Sequence, residues 1–214
     1  MPHERSTRPS AAGLILTGLL LPLAVFAMLA ALIGMQGTPA FDEPLLLALQ
    51  GLHTPALDRV FLAISQAGYL YFVVPFNIAL TLWLGWRRRL REALFVAIAS
   101  GGSALLNLTA KPLFARERPA LWESIAPEHN FSFPSGHAMG SMTLAWVLVL
   151  LAWPTRWRWP VLAAAAAFAI LVGLSRPYLG VHYPSDILAG WAAASVWAVA
   201  VYLVVLRRPG PGLS

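Results

Sequence analysis

WPVLAAAAAFAILVGLSRPYLGVHYPSDILAGWAAASVWAVAVYLVVL fills residues 159–206. Two apolar runs, 159–174 and 187–206, flank one polar stretch, SRPYLGVHYPSD (175–186), which carries Arg176, His182 and Asp186. At ~1.5 Å of rise per residue, such runs approach the ~30 Å of hydrocarbon that a spanning helix crosses. Charged groups squeezed between two spans lie at a membrane surface and call for a reason to be there.

The pattern repeats toward the N-terminus. Further spans read as 12–35, 60–86, 93–110 and 136–153, which predicts an all-α bundle of six transmembrane helices in one domain covering 1–214. Composition agrees, since 58% of the 214 residues are hydrophobic and 11% are charged, against about 25% charged in soluble domains. The apolar core of 12–35 is too long for a signal-peptide h-region, so it reads as an uncleaved anchor. FDEPLLLALQGLHTPALDR (41–59) is shorter and broken by Pro44, Gly51 and Pro55, and predicts an amphipathic helix lying in the interface. His53 within it reads as an exposed or interfacial residue. Ser100, Gly101, Gly102 and Ser103 predict close helix packing.

The net charge of +6 comes from short clusters between spans, a topology signal with no basic face and no interleaving of aromatic and basic residues, so nucleic-acid binding is not expected. Six spans put both termini on one side, with Arg5, Arg8, Arg87, Arg88, Arg89, Arg91, Arg156, Arg158, Arg207 and Arg208. The other side has Arg59, Lys111, Arg116, Arg118 and Arg176. The imbalance predicts cytoplasmic termini. With no cysteine, disulfides and thiolate chemistry are excluded.

The six-span order gathers three polar stretches on the outer face: KPLFARERP (111–119), PSGH (134–137) and SRPYLGVHYPSD. Lys111, Arg118 and Arg176 suit the oxygens of a phosphate or diphosphate. Ser135 and Gly136 follow Pro134 at a predicted helix start, where backbone N–H groups and the helix dipole form an anion seat. Pro184 places His182 just before the last helix and Asp186 in its first turn, so the carboxylate can orient the imidazole for attack on phosphorus. His137 has no such neighbour and reads as the general acid, then as the base that activates water. Singly, each of these residues has an ordinary role as a snorkelling anchor, cap or helix-terminal acid; jointly, on one face, they read as a site. Arg116 divides evenly between a structural and a substrate-binding role. His129 reads as a solvated loop residue, and Glu117, Glu123 and Glu128 as facing water. No metal site is predicted, with few histidines and no thiols.

These three stretches resemble, in order and spacing, the signatures of the type 2 phosphatidic acid phosphatase (PAP2) superfamily, lipid phosphatases related to vanadium haloperoxidases: Lys, six residues, Arg-Pro; PSGH; and Ser-Arg, five residues, His, three residues, Asp. The resemblance implies a PAP2/haloperoxidase-like core and metal-independent, cofactor-free hydrolysis. Lys111, Arg118, Ser135, Gly136 and Arg176 would hold phosphate, with His182 as nucleophile, His137 as acid and Asp186 as partner of His182. The expected protein is a multi-pass bacterial inner-membrane enzyme with an extracytoplasmic site. It would act on a polyprenyl diphosphate, phosphatidylglycerophosphate or phosphatidate, with lipid A phosphates as further candidates. A lipid phosphotransferase using the same site, and a non-catalytic lipid binder or transporter, are the alternatives.

Overall fold

A computed structural model describes residues 9–207; Arg5, Arg8 and Arg208, counted above toward the orientation of the termini, lie outside them. Among the described residues the chain is entirely helical apart from loops. Helix α1 begins at Ser10, whose hydroxyl accepts from the Gly13 N–H, and continues through Ala11–Gly13, a π-helical stretch Leu14–Leu20 and an α-helical part Leu21–Gln36. The others are α2 (Asp42–Gln50), α3 (Pro55–Ala67), α4 (Val73–Trp86), α5 (Leu90–Phe114), α6 (Gly136–Ala152), α7 (Arg158–Tyr178) and α8 (Pro184–Tyr202, prolonged by a π-helical turn Leu203–Arg207).

Four helices are long and apolar enough to cross a membrane: Ala11–Met35, Leu90–Phe114, Arg158–Tyr178 and Pro184–Arg207. Helices α4 and α6 are apolar but shorter. The continuous span expected over 60–86 is instead two helices, α3 and α4, separated at 68–72. Gly68 ends α3, and Pro75 falls in the first turn of α4, where its missing N–H costs nothing. Thr54 caps α3 through its hydroxyl and the Leu57 N–H, 3.2 Å.

Helix α6 packs between α7 and α8 at the centre; α1 lies along α8, α4 along α5 and α3 along α7. The predicted small-residue contact forms at Gly102, where an added Cβ would come within 2.2 Å of the Trp197 ring on α8. Beside it the Thr143 hydroxyl donates to Ser103 Oγ at 2.9 Å. Large apolar side chains such as Leu16, Leu82, Leu105 and Leu108 are exposed on the outside of the bundle. That is the inversion expected where lipid is the solvent.

The segment 41–59 is not a single interfacial helix. It forms α2 and the start of α3, and α2 packs on α7 and α8 with Asp42 and Leu46 fully buried. His53, expected to be exposed or interfacial, stacks on Tyr178 at 4.3 Å between ring centroids, and its Nε2 lies 2.8 Å from the Tyr178 carbonyl oxygen. It ties the α2–α3 corner to the end of α7.

Candidate active site

Each polar stretch is delivered by a helix end. Helix α5 runs one turn further than predicted, so Lys111 sits in its last turn rather than in a loop. Ala115, left-handed at φ 45°, then reverses the chain and sends Arg116 and Arg118 back over the helix ends. Helix α7 likewise runs on to Tyr178, leaving Arg176 within its last turn and 2% exposed. Gly180, at φ 72°, turns the chain toward His182, and an added Cβ there would strike Trp122. Ser135 caps α6 and is fully buried.

His182 is sealed. Its Nδ1 lies 3.3 Å from Asp186 Oδ2, the reach-back geometry that the spacing predicts, while Arg118 Nη1 lies 3.1 Å from its Nε2. An arginine can only donate, so Nε2 accepts and the proton resides on Nδ1, facing the carboxylate. Burial, then the charges of Arg118 and Arg176, hold His182 well below the ordinary imidazole value of 6.5 and keep the ring neutral. A neutral ring with a lone pair on Nε2 is the nucleophilic form.

Two of the three predicted cations, Arg118 and Arg176, converge on one carboxylate, that of Glu128, which was expected to face water. Arg118 Nη2 donates to its Oε2 at 2.6 Å, Arg176 Nη2 donates to its Oε1, and His137 Nδ1 lies 4.0 Å from that same oxygen. Burial pushes the Glu128 carboxyl up, but Arg176, Arg118 and Lys111 outweigh this and hold it below its ordinary value of 4.5. Lys111 Nζ donates to Asn130 Oδ1 at 3.1 Å and to the Phe131 carbonyl, and Arg118 Nε donates to the Asn130 carbonyl at 2.7 Å. Arg176 Nη1 also donates to Ser65 Oγ. Glu128, Asn130 and Ser65 were not singled out from the sequence as part of this cluster. His129, in contrast, is exposed as expected.

One donor of the PSGH turn, the Ser135 N–H, is placed differently from its expected use. The Ser135 N–H donates to the Asp186 backbone oxygen at 3.1 Å, so that donor locks α6 to α8 instead of standing free for an anion. Asn107 Nδ2 holds the Pro134 carbonyl at 2.9 Å, and a Cβ at Gly136 would sit 2.9 Å from Asn107 Oδ1. Glycine at 136 is therefore needed for packing as well as for any approach of a ligand.

Arg116 lies behind His182, away from these cations. It bridges two buried carboxylates, Asp186 Oδ1 at 2.5 Å from Nη1 and Asp42 Oδ2 at 2.8 Å from Nη2, and stacks on the Tyr183 ring at 4.1 Å. Leaving a buried charge unpaired in such a cluster costs about 3–5 kcal/mol. Among the described residues no three His, Cys, Asp or Glu side chains are grouped so as to hold a metal.

Two openings share Tyr69 in their linings. A groove of about 400 Å³ is lined by Ser65, Tyr69, Glu128, His137 and Arg176. A largely apolar cavity of about 200 Å³ runs between α4, α5 and α6 beneath Gly136, past Val73, Asn77 and Met139.

Comparison with known proteins places this arrangement. Phosphatidylglycerophosphatase B of Bacillus subtilis (strain 168) is 31% identical over 172 residues, covering 78% of this chain and 84% of that protein. An undecaprenyl-diphosphatase of Sulfolobus acidocaldarius is 28% identical over 200 residues, 90% of this chain and 91% of that one. The crystal structure of a transmembrane PAP2-type phosphatidylglycerolphosphate phosphatase from Bacillus subtilis superposes with a TM-score of 0.79 at 27% identity, over 89% of this chain and 98% of that one. The PAP2 superfamily model matches residues 91–209, which include all three polar stretches. This multi-pass membrane protein belongs to the PAP2 superfamily and is a lipid phosphatase of that type.

Proposed function

We propose that the chain hydrolyses a lipid phosphomonoester or diphosphate at the extracytoplasmic surface through a phosphohistidine on His182. The observation that carries this is the gathering of Arg118, Arg176 and His137 around one carboxylate, with Arg118 reaching from that carboxylate to His182 Nε2. A phosphate presents the same negatively charged oxygens as Glu128 and more of them, so the head group takes the position of the Glu128 carboxylate. The tail lodges in the apolar cavity on the other side of Tyr69, a residue that lines both cavity and groove. Helices α4 and α6 complete six crossings, and the termini lie on the cytoplasmic side.

In the first step Nε2 of His182 forms a bond to phosphorus as the bond from phosphorus to the leaving oxygen breaks. His137 gives that oxygen its proton. A dianionic head group beside His137 favours the imidazolium that this transfer needs. In the second step His137 takes a proton from water, the water oxygen bonds to phosphorus, and the N–P bond breaks to release phosphate. Asp186 faces the positive charge that the His182 ring acquires. The cations neutralise charge on the phosphoryl oxygens throughout.

Phosphatidylglycerophosphate and undecaprenyl diphosphate are the substrates to test first, followed by phosphatidate and lipid A. The purified full chain, incubated with each lipid in mixed micelles without an acceptor, should release inorganic phosphate from at least one. No release from any, with turnover appearing only when an acceptor alcohol is added, would make the protein a phosphotransferase. Binding without turnover in either case would make it a lipid binder.

A further inference from the structure

Asp42, on the first turn of α2, lies 74 positions before Arg116 in sequence, yet the two form a buried ion pair directly behind the predicted nucleophile. Asp42 is fully buried and the Arg116 side chain is 6% exposed. We propose that Asp42 and Arg116 are positioning residues for His182, acting through Asp186; this rests on the reading of His182 as the nucleophile.

The two oxygens of Asp186 are divided between two tasks. Oδ2 accepts from the Tyr183 N–H at 2.9 Å and faces His182 Nδ1, while Oδ1 accepts from Arg116 Nη1 at 2.5 Å. A carboxylate held at both oxygens cannot rotate, so the direction it imposes on the imidazole is fixed. Arg116 is fixed in turn by Asp42. Asp42 is locked by both donors of Ser185, the backbone N–H at 2.9 Å to Oδ1 and the hydroxyl at 2.5 Å to Oδ2. The ring of contacts thus ties the starts of α2 and α8 to the loop after α5.

Charge gives Asp42 a second role. A lone Arg116 against Asp186 would cancel the field that Asp186 sends to the imidazole. With Asp42 present the guanidinium is shared by two carboxylates, and Asp42, Arg116 and Asp186 together carry one net negative charge. That charge is matched when the His182 ring becomes positive on bonding to phosphorus. The stabilisation is therefore larger in the transition state than in the resting site, and it belongs in kcat. Among the described residues, no hydrogen bond of Asp42 or of the Arg116 side chain reaches Lys111, Arg118, Arg176 or Glu128, so substrate affinity should not depend on the pair.

The test uses the full chain purified in detergent, para-nitrophenyl phosphate as substrate and inorganic phosphate as competitor. Asp42→Asn keeps the shape and removes the charge. Per folded chain, counted from the monodisperse gel-filtration fraction, its kcat should fall on the order of 10-fold or more, with KM and the inhibition constant for phosphate unchanged. Less folded protein at full kcat would make the pair purely structural. A rise in KM matching the fall in kcat would make it part of the substrate site. Either result overturns the proposal. If Asp42→Asn does not fold, Arg116→Lys serves, because an ammonium keeps the charge but lacks the fork that spans two carboxylates. It too should lose kcat at constant KM, and full kcat would overturn the proposal. An active His182→Ala would defeat the nucleophile reading itself. An inactive His182→Ala beside a fully active Asp42→Asn would defeat only the positioning role.

Discussion

The two histidines occupy opposite kinds of surroundings. The side chain of His182 is 1% exposed, fixed by Asp186 on one nitrogen and Arg118 on the other. That of His137 is 19% exposed, lies beside the groove, and has a 4.0 Å approach to Glu128 and a tilted contact with the Tyr69 ring at 5.4 Å. The closed side fixes one tautomer and one direction, which a nucleophile needs. The open side leaves a ring free to exchange protons with a leaving group and with water, which an acid/base needs. Sequence already separates the two, since only His182 has an acid four residues on, and the surroundings add the contrast between a sealed and an open ring.

The largest effect expected from breaking this contrast is at the closed side. His182→Ala should lower phosphate release by at least about 10⁴-fold, the scale of removing a nucleophile that works as part of a unit. Phosphate release assays on the purified variant check this. On the open side, His137→Asn should cost about 10²–10⁴-fold with lipid substrates. The loss should shrink for the first step of an activated ester, whose leaving group needs no proton, so a rapid burst of nitrophenol followed by slow turnover is expected in stopped-flow records.

Glu128 offers a subtler break. Its carboxylate holds the cations that the head group requires, so Glu128→Gln should lower KM several-fold, about 1 kcal/mol, and tighten inhibition by phosphate. A raised KM in steady-state assays would show that Glu128 contacts the substrate instead of competing with it. The pH profile sharpens the contrast further. His182 is held well below 6.5, so lowering the pH through 6.5 leaves its nucleophilic form in place. The acid limb of kcat/KM should therefore lie below 6.5, where an ordinary histidine would already be half protonated. The smallest expected effect is from a chelator: turnover in excess EDTA should match turnover without it.

What could be read from sequence tracks how local the signal is. The interval from His182 to Asp186 is four residues across a proline-started helix, and it sets their contact directly. The membrane runs were legible from hydropathy, and the order of spans brings Lys111, Arg118, His137 and Arg176 to one end of the bundle. Asp42 and Glu128 were not legible as parts of the cluster. Arg116 lies 74 positions from Asp42 and Arg176 lies 48 from Glu128; Arg118 is only 10 from Glu128, but across an irregular loop, and no spacing rule encodes which acid fills a pocket made by those arginines. The division of 60–86 was marked by Gly68 and Pro75, a helix-stop and a helix-start signal, but unbroken hydropathy on both sides masked it. The free Ser135 N–H failed for a related reason. Helix-start donors are available to a ligand only until tertiary packing supplies another acceptor, here the Asp186 carbonyl.

The most direct measurement is to map the covalent intermediate. Enzyme mixed with a turned-over lipid phosphate, quenched in alkali within milliseconds and digested for mass spectrometry, should carry one phosphoryl group on His182. Phosphate found on His137, or no covalent adduct while turnover proceeds, would contradict the division of labour between the sealed and the open imidazole.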